Sequence, residues 1–371
     1  MLHRTGTVQR EVGRGVQQDG TPSRGGGVGR GVQQDGAPSR GGGVGRGVQQ
    51  DGAPSRGDDR TSGVGSSRTT SHPQKSERAK ADLPVEVSGV RVTHPNKLWY
   101  PGDGITKLDV VKFYDAIAPL VLPWMKDRPL TAERCPQGMK GSCFYQKNFE
   151  EGLPPGVPTF AIRAASSGKD VQYVVGGLKK TLLVLVNLGC IAIHIMNCRT
   201  RSLHSADWLA FDLDPSGESF QDVVKTATLL RSVLEEFKLQ SYPKTSGSRG
   251  IHVFVPLQVK YTQDEVREFA LAVGHLMAKR APSLVTMEMS KAERRGRVLA
   301  DAFRNGFGQT VVAPYSVRRR PKAPISTPLA WDEVNARLNP SSFNIRTFDR
   351  RMAEPNPWED FWQHRQTLPK A

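Results

Sequence analysis

The sequence predicts an α+β fold, with helices packed on a sheet, that follows an unstructured N-terminal tail. In the second half of the chain, runs with the two-residue period of strands alternate with runs of helical period, and short loops join them. Hydrophobic residues make up only 37% of the 371 residues, whereas 37 glycines and 26 prolines are present. A globular part diluted by an unstructured one explains that composition.

Residues 1–82 carry a tandem repeat with a period of 16 residues. The octapeptide Gly-Arg-Gly-Val-Gln-Gln-Asp-Gly begins at Gly13, Gly29 and Gly45. Each unit offers too few apolar side chains to offset the entropy of ordering it, so we expect a disordered Gly/Arg-rich tail. The tail either adds nonspecific affinity for phosphate, or is a repeat expansion without function, or follows from a misplaced start codon.

The folded part begins near Leu83, and its first elements are short. Small strands are predicted by the valines Val87, Val90 and Val92. Residues 107–121 place apolar side chains at helical spacing and predict one amphipathic helix. Strand-like pieces and Gly/Pro turns follow Pro129 up to about residue 200, among them the run 191–196.

The second half contains longer elements. Apolar runs predict strands at 207–213, 251–255, 297–303 and 309–313. Ser219 with Asp222, and Thr262 with Glu265, have the spacing of capping boxes at helix N-termini. The two helices predicted from these boxes span 220–237 and 263–279.

A formal charge of +16 favours a polyanionic partner, with a merely soluble basic surface as the alternative. Residues 1–82 contain 13 Lys/Arg and 8 Asp/Glu, a net +5, so +11 remains for the folded part. The sequence has no run of roughly 18 apolar residues and no apolar N-terminal segment. We therefore expect no membrane span or secretory signal, and a cytoplasmic location.

Four cysteines, Cys135, Cys143, Cys190 and Cys198, are too few for a disulfide framework in so long a chain. We expect reduced thiols, either buried or at the surface. Cys190, His194 and Cys198 offer zinc ligands as an alternative, but they lie on a predicted strand and form no Cys-x-x-Cys pair.

Two carboxylates, Asp212 and Asp214, end the strand predicted at 207–213. Residues i and i+2 of a strand point to the same face, so the two anions repel each other unless a cation lies between them. Divalent ions held this way can activate a hydroxyl and stabilise a leaving pyrophosphate. A capping or turn aspartate beside Pro215 is the ordinary alternative.

Residues 245–252 form a donor-rich loop. Its glycines allow the backbone to approach a ligand, and Ser246, Arg249 and His252 supply donors suited to phosphate oxygens. The loop lacks the spacing of a Walker P-loop. An ordinary Gly-Ser turn is the alternative. Asp301, on a later strand, and Arg318, which follows another, complete the pattern of a nucleoside-triphosphate site.

These motifs resemble those of archaeo-eukaryotic primases, and most closely the polymerase domain of bacterial ligase D, the end-joining DNA ligase. The three core motifs are Asp212-Leu213-Asp214-Pro215, Ser246-Gly247-Ser248-Arg249-Gly250-Ile251-His252 and Asp301. Further matching segments are Lys97–Pro101, Gly104–Lys107, Arg128–Thr131, Phe144–Lys147, Val312–Arg318 and Pro324–Leu329. The resemblance spans roughly residues 84–360.

The resemblance implies a primase-like (RRM-like) catalytic sheet at 201–371 and an N-terminal α/β subregion at 83–200 that binds DNA ends. It also implies roles for single residues. Two Mn²⁺ or Mg²⁺ ions would be held by Asp212, Asp214 and Asp301. The incoming NTP or dNTP would be contacted by His194, Ser246, Arg249 and Arg318, with His252 supporting the loop. A 5′-phosphate on double-stranded DNA would be gripped by Lys97 and Lys107, and the template base would be stacked by Phe144 and Tyr145. Without the resemblance, each of these residues has an ordinary interpretation. His194 would be a core histidine, Lys97 and Lys107 would lie on a solvated face, and Phe144 and Tyr145 would pack in the core.

Two positions depart from the family pattern. Arg249 stands where lysine is usual, which keeps the charge and changes its geometry. Glu133 stands where a basic residue is usual, so it inverts a charge near the predicted DNA groove. The Lys-x-Asp-Gly motif of ligase nucleotidylation is not found in the sequence. We therefore expect a stand-alone polymerase module.

The resemblance implies a template-directed DNA/RNA polymerase of non-homologous end joining that readily accepts ribonucleotides. A separate ATP-dependent DNA ligase and the Ku end-binding protein would be its partners, at the nucleoid. A primase that starts strands de novo and a non-catalytic end-bridging scaffold are the two alternatives.

Overall fold

A computed structural model describes residues 82–164 and 167–369. The predicted tail therefore lies, apart from Asp82, outside the described residues. None of the helices in the described part is long and apolar enough to cross a membrane.

Two hairpins and two short helices open the fold. The hairpins pair β1 (Val85–Val87) with β2 (Val90–Val92), and β3 (Leu98–Tyr100) with β4 (Ile105–Thr106). The single helix predicted at 107–121 is wrong, since two helices occur: α1 (Lys107–Ala116) and α2 (Ala118–Met125). Pro119 lies in the first turn of α2. Because proline has no backbone N–H, the hydrogen bonding of α1 cannot continue through it, and a new helix begins there.

A six-stranded sheet occupies most of the first half. It contains β5 (Pro129–Arg134), β6 (Phe144–Gln146), β7 (Thr159–Arg163), β8 (Asp170–Val175), β9 (Cys190–Ile195) and β15 (Val311–Val312). The strand order is β15-β9-β5-β8-β7, and β6 pairs with the other end of β5. Helix α3 (Lys179–Asn187) precedes β9. Strand β15 reaches this sheet from the second half of the chain.

A five-stranded sheet, in the order β11-β12-β10-β14-β13, forms the second half. Its strands are β10 (Ala206–Pro215), β11 (Tyr242–Thr245), β12 (Ile251–Tyr261), β13 (Val285–Thr286) and β14 (Val298–Asp301). The helices are α4 (Phe220–Glu236), α5 (Gln263–Arg280) and the short α6 (Phe348–Met352). Single 3₁₀ turns lie at Phe303–Asn305, Trp331–Glu333 and Pro340–Ser342.

The capping boxes differ in outcome. Thr262 is confirmed: its hydroxyl accepts from the Glu265 backbone N–H (3.2 Å), and the Glu265 carboxylate accepts from the Thr262 backbone N–H (2.7 Å). Ser219 is wrong as a side-chain cap, because its hydroxyl makes no capping hydrogen bond within the described part of the chain. The strand predicted at 251–255 continues to Tyr261, whereas those at 297–303 and 309–313 are shorter than predicted.

Alternation along β10 separates two hydrophobic cores. Leu209, Phe211 and Leu213 pack in the core that also contains the buried faces of α4 and α5. Trp208 and Ala210 point to the opposite face and pack in the core that contains the six-stranded sheet. Because residues i and i+2 share a face, Asp212 and Asp214 follow Trp208 and Ala210 on the side away from the helices.

The expectation of four reduced thiols is wrong for one pair. Cys135 and Cys143 form a disulfide, with their Cα atoms 4.4 Å apart. The cause is strand register: Arg134 pairs with Phe144 in the β5–β6 ladder, so the residues just beyond them face each other. Cys190 and Cys198 are free and buried.

Candidate active site

Three carboxylates lie on the adjacent strands β10 and β14. Asp212 pairs directly with Asp301 in the antiparallel ladder, and Asp214 lies two residues further along β10. Asp301 is buried, whereas the Asp214 side chain is 58% exposed. Strand register therefore brings the three predicted acids to neighbouring positions of one sheet.

Arg304 places a cation between two of these acids. Its Nε lies 3.1 Å from an Asp301 carboxylate oxygen and 3.7 Å from an Asp212 carboxylate oxygen. In residues 82–164 and 167–369, no three His, Cys, Asp or Glu side chains are already arranged to hold a metal ion. The guanidinium, however, occupies a place where a cation is stabilised by two carboxylates. Carboxylate oxygens are the donors that Mg²⁺ and Mn²⁺ prefer, so the residues present fit such an ion.

The acids differ in pKa because their neighbours differ. Burial alone would raise the pKa of Asp212, but His252, whose Nε2 lies 3.1 Å from the Asp212 Oδ1, and then Arg304 hold it well below its usual range. Burial raises the pKa of Asp301, and the negative charge of Asp212 raises it further against the effect of Arg304. The neighbours of Asp212 thus stabilise its charged form, whereas burial and the charge of Asp212 disfavour the charged form of Asp301.

Within the donor-rich loop, residues 245–252, the turn is held together by the Ser246 side chain. The Ser246 hydroxyl accepts from the backbone N–H groups of Ser248 (3.2 Å) and Gly250 (3.0 Å). Gly250 packs so closely that an added Cβ would lie 2.4 Å from the Leu213 carbonyl oxygen. Gly247 has a φ of +67° and leaves no room beside Arg318. The glycines thus allow the loop to lie directly against β10 and Arg318.

His194 and Arg318 present unpaired nitrogen atoms. His194 Nε2 and Arg318 Nε are buried without a hydrogen-bond partner among the described residues. Burial, and then the charge of Arg318, lowers the pKa of His194 well below its usual value, so the ring is neutral. The second guanidinium arm of Arg318 donates from Nη1 to the Ser246 carbonyl (2.8 Å). Buried polar atoms without partners are typical of a polar ligand site.

A cleft of about 610 Å³ joins these groups. Of the predicted residues, it is lined by Tyr145, His194, Asp212, Asp214, Ser246, His252 and Arg318. Arg249 is exposed and, like the buried Asp301, does not line this cleft. The other lining residues that bear donors or acceptors are Thr131, Lys147, Ser248, Arg304, Gln309, Thr310 and Arg320.

The two predicted aromatics point to opposite faces of β6, and both are exposed. Tyr145 lies edge-on to His194, with ring centroids 5.3 Å apart, at the cleft wall. Phe144 lies on the other side, with the Arg134 guanidinium 5.5 Å from its ring. Core packing, the ordinary interpretation, is therefore wrong for both residues.

Lys97 and Lys107 are neighbours in the β3–β4 region, and neither lines the cleft. The Lys107 backbone N–H donates to the Lys97 carbonyl (2.8 Å). The buried Lys107 ammonium donates to the Thr93 carbonyl (2.6 Å), whereas Lys97 Nζ donates to the Gln137 side chain (2.5 Å). The solvated face proposed as the ordinary interpretation is wrong for Lys107.

Glu133, the unusual acid, is buried and forms an ion pair with Arg319 (2.8 Å). Its charge is therefore compensated within the chain.

Two important residues were not predicted as site residues. Lys244 is fully buried and contacts His252, and Arg304 lies between the carboxylates. Lys244 could have been found from its place within the strand sequence Tyr-Pro-Lys-Thr. Arg304 could have been found from its position three residues after Asp301.

The class of protein that this arrangement fits is a primase-like nucleotidyltransferase. Such a protein would use paired carboxylates on a sheet, a loop folded around a serine, and a cleft lined by histidine and arginine. Residues 106–362, more than half of the chain, match the family described as LigD, primase-polymerase domain, and the chain belongs to that family. The resemblance predicted from the sequence motifs is thereby confirmed, as is the α+β fold.

Similar proteins include two end-joining proteins. The multifunctional non-homologous end joining protein LigD of Pseudomonas aeruginosa is 29% identical over 300 residues, 76% of this chain and 34% of that protein. The bifunctional protein LigD of Bacillus subtilis is 30% identical over 283 residues, 76% of this chain and 45% of that protein. The chain thus spans less than half the length of either relative.

Among solved structures, the polymerase domain of Mycobacterium tuberculosis ligase D in complex with DNA superposes with a TM-score of 0.69 at 25% identity. The match covers 75% of this chain and 99% of that domain.

Proposed function

We propose that this chain is a template-directed DNA/RNA polymerase that fills or extends DNA ends in non-homologous end joining. The observation that carries the proposal is the pairing of Asp212 with Asp301 beside a cleft into which His194 and Arg318 present nitrogens without partners. The substrates would be a DNA end with a 5′-phosphate and an NTP or dNTP, with ribonucleotides accepted. Relatives named as end-joining proteins support the cellular role, and a separate ligase and Ku would be its partners.

Different residues of the cleft would bind the nucleotide and hold the metal ions. Arg318 and His194 would donate to the phosphates of the nucleotide, and Arg304 would leave the carboxylates as the substrate arrives. Asp212, Asp214 and Asp301 would hold two Mg²⁺ or Mn²⁺ ions, which supply Lewis-acid stabilisation for the attacking hydroxyl and the leaving pyrophosphate. The low pKa of Asp212 keeps its carboxylate charged and ready to bind a cation at neutral pH.

Tyr145 and the DNA-end residues would place the template. Tyr145 is 59% exposed at the cleft wall, where a base could stack on its ring. Lys97 and Lys107 would bind the downstream 5′-phosphate away from the cleft, so that the two sites together would select a gapped or broken duplex.

Primer extension on a gapped duplex with a 5′-phosphate, NTPs and Mn²⁺ tests the proposal. We expect extension by the wild type and a loss of more than about a hundredfold in Asp212→Ala, since changes in the partners of metal ligands alone cost about 10–100-fold. Asp170→Ala, at a carboxylate 56% exposed in an outer hairpin, is the matched control and should extend normally. No extension by the wild type, or equal extension by Asp212→Ala, would refute the proposal.

A further inference from the structure

One row of polar side chains crosses four strands of the five-stranded sheet. Lys244 on β11 pairs with His252 on β12, His252 pairs with Asp212 on β10, and Asp212 pairs with Asp301 on β14. Cross-strand partners in register have their side chains on the same face. The row therefore connects a lysine on the edge strand β11 with Asp212, which lines the cleft, and with Asp301.

Lys244 is the least expected member of this row. Its side chain is fully buried, with the ammonium 5.6 Å from the Phe254 ring. Burial, and then the charge of Arg318, lowers its pKa well below the usual value for lysine. Burying a lysine side chain costs free energy that burying an apolar side chain does not. The contacts of Lys244 therefore point to a functional role.

Hydrogen-bond directions assign the proton on His252. The Ser326 hydroxyl donates to the Thr245 carbonyl (2.9 Å), so the Ser326 oxygen accepts from Lys244 Nζ (2.5 Å). An ionised carboxylate only accepts hydrogen bonds, so His252 Nε2, 3.1 Å from the Asp212 Oδ1, carries the ring proton. Nδ1 of the neutral ring is then an acceptor, and Lys244 Nζ, 2.9 Å away, donates to it whether the lysine is charged or neutral.

We propose that Lys244 is a positioning residue that fixes the Nε2–H tautomer and the ring orientation of His252, and through His252 orients the Asp212 carboxylate for metal binding. The metal part of this inference rests on the proposed function, whereas the tautomer part does not. Partners of this kind around metal ligands typically change metal affinity by about 10–100-fold when removed.

Histidine ¹⁵N NMR of the full chain without metal or DNA tests the tautomer. The chain has eight histidines, and the His252 signals are those lost in His252→Gln. We expect the wild type to show an unprotonated Nδ1 and a protonated Nε2 at neutral pH. A wild-type His252 protonated on Nδ1 would overturn the proposal, whatever the polymerase activity of the protein.

Lys244→Met tests the consequence for the metal, because methionine keeps an unbranched side chain and removes the donor. We expect its His252 signals to move toward a mixture of tautomers, and the Kd for Mn²⁺, measured by electron paramagnetic resonance, to rise about 10–100-fold. Lys225→Met, at an exposed lysine of α4, is the matched control and should resemble the wild type in both measurements.

Each outcome of these experiments has a definite meaning. An unchanged tautomer together with unchanged Mn²⁺ binding in Lys244→Met would refute a positioning role. If the wild type binds no Mn²⁺ at all, the proposed function fails, while the NMR measurement still decides the role of Lys244 toward His252. If Lys244→Met does not fold, a wild-type His252 protonated on Nδ1 still overturns the proposal.

Discussion

We expect the buried ammonium of Lys107 to make the proposed recognition of a 5′-phosphate dependent on pH. Burial, and then the neighbouring charge of Lys97, lowers the pKa of Lys107 to about 8, against a smaller opposite effect of Asp82. A phosphate bound between the two lysines would favour the charged form of Lys107. Binding of the phosphate and protonation of Lys107 would therefore be coupled, and we expect a rise in pH to weaken the interaction.

The size of the effect follows from that pKa. With a value of about 8, roughly nine tenths of the Lys107 side chains carry the proton at pH 7 and about one tenth at pH 9. A terminal phosphate, with a second pKa near 6, is doubly charged throughout this range. The preference for a 5′-phosphate should therefore fall by about tenfold between pH 7 and pH 9.

Fluorescence anisotropy at constant ionic strength measures this preference. The quantity is the ratio of the Kd for a recessed duplex with a 5′-hydroxyl to the Kd for the same duplex with a 5′-phosphate. The hydroxyl duplex removes the contributions of other titrating groups to DNA binding. We expect the ratio to fall in the wild type and to stay nearly constant in Lys107→Arg, since arginine remains charged.

The matched control is Lys112→Arg, the same substitution at an exposed lysine of the same helix. It should keep the pH dependence of the wild type. A constant ratio in the wild type, or the same decline in Lys107→Arg, would show that Lys107 does not bind the phosphate through its charge.

Three further changes test the packing and the cleft. Arg128→Met removes a fully buried guanidinium that donates to Asp207 (2.6 Å) and to three backbone carbonyls, and leaves Asp207 paired with Arg199 (2.8 Å). It should lower the free energy of unfolding by about 3 kcal/mol in urea titrations. A loss below about 1 kcal/mol, as at exposed pairs, would contradict this reasoning. Cys143→Ser opens the loop closed by Cys135 and should lower the stability of the oxidised protein by about 2 kcal/mol, with no further loss on adding reductant. Tyr145→Ala should weaken template-directed extension by about 1–3 kcal/mol in kcat/KM, whereas Tyr145→Phe, which keeps the aromatic ring, should retain it.

Local periodicity was sufficient to predict the parts of the site that lie within one strand or one loop. The two-residue alternation placed Asp212 and Asp214 on one face, and the strand predicted around Asp301 is β14. The Thr262 capping box depends only on residues three apart, so it too could be predicted. In each case the interacting groups are close together in the sequence.

Contacts set by strand register could not be predicted in this way. The Cys135–Cys143 disulfide and the row that joins Lys244 to Asp212 depend on which residues pair across antiparallel strands. A register shifted by one residue would move every one of these side chains to the other face. A single sequence contains no direct measure of that pairing.

Glu133 shows how a tertiary contact changes the meaning of a substitution. From the sequence, this acid inverts a positive charge near the predicted DNA groove. In the structure its carboxylate is buried and accepts from Arg319 Nε (2.8 Å), while the Arg319 side chain remains 43% exposed. The pair has no net charge, and the acid anchors a cation beside Arg320, which lines the cleft. The replacement of a basic residue by Glu133 thus changes the charge at one position only. Arg319 and Arg320, which follow Arg318, still present positive charge to an approaching polyanion.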